Sequence, residues 1–163
     1  MTVRVSKALL VALVGVFSLL VGVDNIIDYE TNFLFVEHVM AMDTVFPDST
    51  LTWRAITSDT LNHLAYAAII GLEIFTGLLC IVGALRLWQV RAESAATFNA
   101  TKKIAIAGIV CGITLWFFGF LTVAGEWFQM WQSKTWNGQE AAFRFVTCLG
   151  LVLIFLNQRD DEL

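Results

Sequence analysis

The chain has 163 residues, 58% of them hydrophobic, with one proline, a mean hydropathy of +0.72 and a formal net charge of −4. This composition is too apolar for an ordinary soluble domain and the length too short for two domains. Residues 1–163 therefore read as one polytopic membrane domain.

Four apolar segments follow in chain order, each close to the ~20 residues that carry a helix across the hydrocarbon core. Backbone groups inside a bilayer must bond within their own segment, so the expected class is an all-α membrane protein, a four-transmembrane-helix bundle. The first segment, about Lys7 to Val23, follows Arg4 and Lys7 in the manner of a secretory signal. It has no small-x-small cleavage site before Asp24 and is expected to remain as a signal anchor. A long outer loop, Asp24 to His63, comes next. Asn32 is a candidate N-cap for a short helix lying against the membrane surface and ending before Pro47. Thr50 to Thr57 are expected to add a turn or two, and Ser58 or Asp59 to cap the second span.

The second span, Leu64 to Leu85, is a 22-residue run with one charged residue, Glu73. The third runs from Ile104 to Ala124, and the outer segment after it carries Trp127, Trp131 and Trp136. Indoles at that level form an aromatic belt, or a stacking platform for a bound ring. Asn137-Gly138 is a turn signal that launches the fourth span, from about Gly138 to Leu156. The closing Asp-Asp-Glu-Leu resembles an endoplasmic-reticulum retrieval tail, but its expected side of the membrane is wrong for that role.

Arg4, Lys7, Arg86, Arg91, Lys102, Lys103 and Arg159 fall at the N-terminus, the middle loop and the C-terminus. Those regions share one side of a four-span topology, so both termini are expected to be cytoplasmic. The opposite side is acidic and should repel nucleic acid and anionic lipid. Cys80, Cys111 and Cys148 all lie inside spans, which points to packing and not to a disulfide framework.

A carboxylate near the middle of a span is costly unless it is neutral, paired or beside water, so Glu73 marks a polar site. Its helical neighbours Thr76, Gly77 and Cys80 are small, which turns it toward the bundle interior, facing Gly108 and Gly112 of the third span. Counting depth at 1.5 Å per residue puts Glu73 about 13 Å below the outer edge, level with Thr114 and Trp116. A fourth helix starting near Gly138 places Arg144 about 9 Å inside the outer boundary, within reach of Glu73. Glu140, Glu126, Asp24 and Asp28 compete for that arginine.

His38, Met40 and Met42 form a His-x-Met-x-Met pattern of the softness that suits Cu(I), although only His38 and Met42 share a helical face. His38 and His63 are a weak pair for haem or another metal. No Glu-x-x-His pair, nucleophile–histidine pair, P-loop or dinucleotide glycine turn occurs, so no catalytic residue is assigned.

Several strings taken together carry a resemblance: Asn25-Ile26-Ile27-Asp28-Tyr29, Asn32-Phe33 with Phe35-Val36 and His38-Val39, Met42-Asp43-Thr44, Trp53-Arg54-Ala55-Ile56, and Gly125-Glu126-Trp127-Phe128 through Met130-Trp131 and Trp136-Asn137-Gly138 to Arg144. With them the chain resembles the bacterial "predicted small integral membrane protein" family, a domain of unknown function. The resemblance implies four spans and residence in the bacterial inner membrane, and it brings no activity or cofactor. The expected function is a non-catalytic accessory or assembly subunit docking to other membrane protein subunits. The alternatives are a binding protein for a hydrophobic small molecule such as a quinone or haem, and a proton or small-solute pathway through Glu73. The residues expected to line a polar cleft or ligand site are Glu73, Arg144, Trp116, Thr114, Glu126, Asp28, His38, His63, Trp127 and Trp131.

Overall fold

Each apolar run forms a helix whose backbone bonds close within it, as a bilayer demands. The computed structural model describes residues 1–162. Its elements are α1 (Thr2–Ile27), α2 (Tyr29–Ala41), α3 (Asp59–Gln89), α4 (Ala95–Thr101), α5 (Lys103–Ile113), which runs on as a π-helix over Thr114–Trp127, and α6 (Gln139–Asn157). Among the described residues there is no strand, and four helical units are long and apolar enough to cross a membrane. They are α1, α3, α4–α5 with its π-helical continuation, and α6.

The outer helix begins at Tyr29, ahead of Asn32, and the expected turn after Thr50 is a single 3-10 turn at Thr52–Arg54. Ser58 is the N-cap of α3, although its side chain makes no capping bond. Gly138 starts α6, where Asn137 Oδ1 accepts from the Gln139 N–H at 3.1 Å. The 31 residues of α3 extend about 46 Å, more than the ~30 Å hydrocarbon core, so its ends stand in the interfaces.

Small residues set the helix spacing, because a missing side chain lets two backbones close. Along the α1–α3 seam, Gly15 and Gly22 lie under Ile81 and Ile74, and Gly77 lies under Leu19. On the other side of α3, Gly108 of α5 meets Cys80, while Gly83 of α3 abuts the backbone of Ala105. The expected Gly108–Gly112 face does contact the second span; Gly119 meets only Leu115. Of the three span cysteines expected to serve packing, Cys80 is buried, Cys111 is half-buried and Cys148 is exposed, which corrects that expectation for Cys148.

The π-helix was not legible in the sequence. Its wider turn is seen in the Phe128 N–H bond to the Val123 carbonyl at 3.0 Å, five residues back. Stacking by five residues and not four redistributes its bulky side chains around the axis. Trp116 stays buried while Phe117 and Phe118 point outward.

At the end of the bundle that holds both chain termini, the last residues fold back into a basic clasp. Asp160 Oδ2 accepts from Lys7 Nζ and Lys102 Nζ, each at 2.6 Å, and all three side chains are buried. Both ammonium groups also donate to the Gln158 carbonyl at 2.7 Å. Asn99 bonds the Asp160 N–H at 3.1 Å and the Asp160 carbonyl at 2.9 Å, and Arg4 reaches the Asp161 carbonyl at 2.6 Å. Burial alone would raise the Asp160 carboxyl, but the hydrogen bonds from Lys102 and Lys7 outweigh it and hold the carboxyl below its ordinary value.

Two predictions follow from this packing. A Cβ on Gly83 would lie 2.7 Å from the Ala105 Cα and N, so Gly83→Leu should cost about 1–3 kcal/mol in detergent unfolding. Gly150→Leu, where a Cβ meets nothing within 4 Å, should leave the midpoint unchanged. Because the Asp160 carboxyl is depressed in the folded state, its stabilisation is complete above the ordinary Asp value of about 3.9 and disappears as pH falls through the lower folded value. Asp160→Asn should therefore lower the neutral-pH melting temperature and flatten the acid limb of a melting-temperature profile. A parallel profile would contradict the clasp.

Candidate functional site

Glu73 is 2% exposed at the α1–α3 seam, and the sequence there explains how it is reached. Gly22 of α1 has no side chain, and a Cβ built on it would approach the Glu73 Cβ to 3.3 Å. One turn further along α1, Asn25 Nδ2 donates to Glu73 Oε2 at 2.7 Å. The Tyr66 hydroxyl, two turns above Glu73 on α3, donates to the Asn25 carbonyl at 3.0 Å and so fixes the end of α1. The carboxyl group is thus held by a neutral amide and not by a cation.

Glu73 lines a cavity of about 220 Å³ with Asn25, Asn32, Tyr66, Trp116 and Phe145 among its walls. Its Oε1 receives no donor from the described residues. Trp116 is 1% exposed and held edge-on by Phe145, with ring centroids 5.3 Å apart. The cavity is therefore a small, largely apolar chamber in which the Glu73 carboxyl, Asn25, Asn32 and Tyr66 supply a few polar groups among aromatic walls.

A second, larger cavity of about 700 Å³ lies between α2, α3 and the π-helical segment, and its walls are almost wholly apolar. Phe35, Val36, Ile69 and Phe120 line both spaces, so the apolar cleft borders directly on the Glu73 chamber. The π-helix supplies one whole side of the cleft, from Phe118 to Trp127.

The outer segments cap this arrangement. His63 stacks on Phe33 at 4.0 Å and bonds the Tyr29 hydroxyl at 2.8 Å, which ties α2 to the top of α3. His38 bonds Asp43 at 2.6 Å and stacks on Trp136 at 4.5 Å. The Phe46 N–H donates to Gln132 Oε1 at 2.8 Å, and the Arg54 guanidinium sits 4.5 Å over the Trp127 ring. These contacts join the two outer loops into one cover.

Of the residues expected at the site, Glu73 and Trp116 meet at the chamber, and Trp127 is part of the cleft wall. The expected Glu73–Arg144 pair does not form: Arg144 pairs with Glu140 one turn earlier on α6, and both are well exposed. The shorter reach won, since an i,i+4 partner on the same helix needs no burial of charge. Thr114 faces outward and returns its hydroxyl to the Val110 carbonyl at 2.9 Å, and Asp28 and Glu126 are exposed. Trp131 packs against Phe46 at 5.7 Å. His38 and His63 serve separate contacts, Met40 lines the cleft and Met42 is buried with Val39, Phe128 and Met130. The His-x-Met-x-Met residues therefore do not converge, and no group of three His, Cys, Asp or Glu residues fit to hold a metal occurs among the described residues.

The sequence reading missed Asn25, Asn32 and Tyr66 as site residues. The available signal was Asn25, a neutral amide one turn past a glycine at the end of a span. It is the kind of donor that satisfies a buried carboxyl without a second charge.

A family described as "Predicted small integral membrane protein (DUF2165)" matches residues 3–159. No curated protein and no solved structure matches the chain. With nearly its whole length matched and four apolar helices of membrane-spanning length, the chain belongs to this family of small integral membrane proteins.

Proposed function

We propose that this protein binds an amphipathic hydrophobic molecule within the membrane, with the polar head in the Glu73 chamber and the apolar tail in the cleft beside it. The observation that carries the reading is the junction of the two spaces: an apolar cleft of about 700 Å³ shares four wall residues with a chamber of about 220 Å³ that holds the Glu73 carboxyl and two asparagines. Ligand sites are typically apolar clefts with a few convergent polar groups, which describes this pair. A dry cavity of about 150 Å³ accepts a benzene ring, so the chamber suits a substituted six-membered ring. A protonated Glu73 would donate from Oε1 to one ring oxygen, Asn32 Nδ2 would donate to another, and Trp116 would flank the ring's face. An isoprenoid quinone has this combination of ring head and long apolar tail.

The alternatives have less support. A haem is larger than the chamber, and His38 and His63 are engaged in separate contacts. A pathway through Glu73 would need to cross the layer of Val11, Cys80 and Ile109, each fully buried, which separates it from the Lys7–Asp160 clasp. The accessory-subunit expectation rests on size, since exposed apolar side chains surround the bundle without marking a protein-facing side.

The test is titration of the purified protein in mild detergent with a short-chain quinone, read by tryptophan fluorescence. Saturable quenching is expected. Ala65→Phe, which fills the cleft, should weaken binding about tenfold or more, equivalent to about 1.4 kcal/mol. Glu73→Leu should weaken it similarly by removing the head contact. Quenching that is linear, or that both variants leave unchanged, would remove the proposal.

A further inference from the structure

We propose a second binding site, for a phosphate-bearing headgroup, at the end of the bundle that holds both termini. The site is a cavity of about 480 Å³ between α4, the start of α5 and the C-terminal tail, with Asn99, Lys102, Lys103, Asn157, Arg159 and Glu162 in its walls. It differs in kind from the other two cavities, being basic where they are apolar or neutral.

The charges in its wall are not equivalent. The Lys102 ammonium is spent on Asp160, Asn99 and the Gln158 carbonyl inside the clasp. Glu162 is spent on the Ala95 N–H, with both carboxylate oxygens at 3.1 Å. Lys103 and Arg159 are exposed, and no carboxylate of the described residues lies within ion-pair distance of either. Two cations from different segments, unpaired among the described residues, therefore face one cavity, and Glu162 in its wall is already engaged. Two of the tail's three acidic side chains lie at this corner: Asp160 bonds the Lys102 ammonium, and Glu162 is in the cavity wall.

The surroundings favour a lipid as the source of the phosphate. Ile106, one turn along α5 from Lys103, also lines the cavity with Ala95 and Ala96, so apolar groups stand beside the basic ones in its walls. The same end carries Arg4, Lys7, Arg86 and Arg91, the excess that the positive-inside rule assigns to the cytoplasmic leaflet, where anionic lipids reside. Arg159 offers a planar fork and Lys103 a point charge, a usual pair for a phosphodiester. The occupant is an anionic phospholipid whose phosphate lies between Lys103 and Arg159 and whose acyl chains leave past Ile106.

The experiment measures the melting temperature of the full chain in a neutral detergent against phosphatidylglycerol, phosphatidylcholine and inorganic phosphate. Phosphatidylglycerol should raise it by several degrees and saturate, with phosphatidylcholine giving little. Lys103→Ala with Arg159→Ala should weaken the apparent affinity about tenfold or more, while Arg86→Ala, at the same end but outside the cavity, should not. A shift reproduced by inorganic phosphate supports the same site with a soluble occupant. Equal shifts from both lipids, a shift that persists in the double variant, or an equal loss in Arg86→Ala would overturn the proposal.

Discussion

A carboxyl group buried between helices in a membrane has to be satisfied from within the protein, and the half of this bundle away from the chain termini is organised by that requirement. Glu73 takes its hydrogen bond from Asn25, Asn25 is held by Tyr66, and Gly22 gives the space for α1 to approach so closely. A cationic partner would have stabilised the charge but left a buried ion pair, whose desolvation often exceeds its Coulombic gain. A single amide satisfies one oxygen and leaves the other without a donor among the described residues.

The two ends of the bundle handle charge in opposite ways. On the outer side the carboxyl is isolated, partnered by a neutral donor and open to a cavity. At the terminal end Asp160 is shared between two lysines through Oδ2, and its backbone is further fixed through Asn99, so this carboxylate is partnered by cations. Fully satisfied polar networks rigidify the elements they join. The clasp joins α1, the α4–α5 junction and the tail.

Much of the architecture was legible. The four apolar runs, the outer helix before Pro47 and the launch of α6 at Gly138 follow from hydropathy and turn chemistry, which act locally. The burial of Glu73 was legible for the same reason, since one charge in a long apolar run has few tolerable positions. Its partner was not. Depth counting placed Arg144 within reach, but depth says nothing of which neighbour is nearer around the helix, and Glu140 was. The π-helix, which builds one wall of the cleft, has no signature in residue type, and it invalidates the 1.5 Å rise used to register the third span. The tail clasp was hidden because Asp160 and Lys7 lie 153 residues apart. Read as composition, those residues indicated only a basic side and an acidic tail.

The central claim is that Glu73 presents one bound and one unshared carboxyl oxygen to a ligand chamber. Isotope-edited infrared spectroscopy of the Glu73 carboxyl, before and after addition of a short-chain quinone, reads that oxygen directly. The account predicts a carboxyl band that moves on ligand addition and is altered by Asn25→Ala but not by Arg144→Ala. A band that ignores the ligand, or one that responds to Arg144 and not to Asn25, would contradict it.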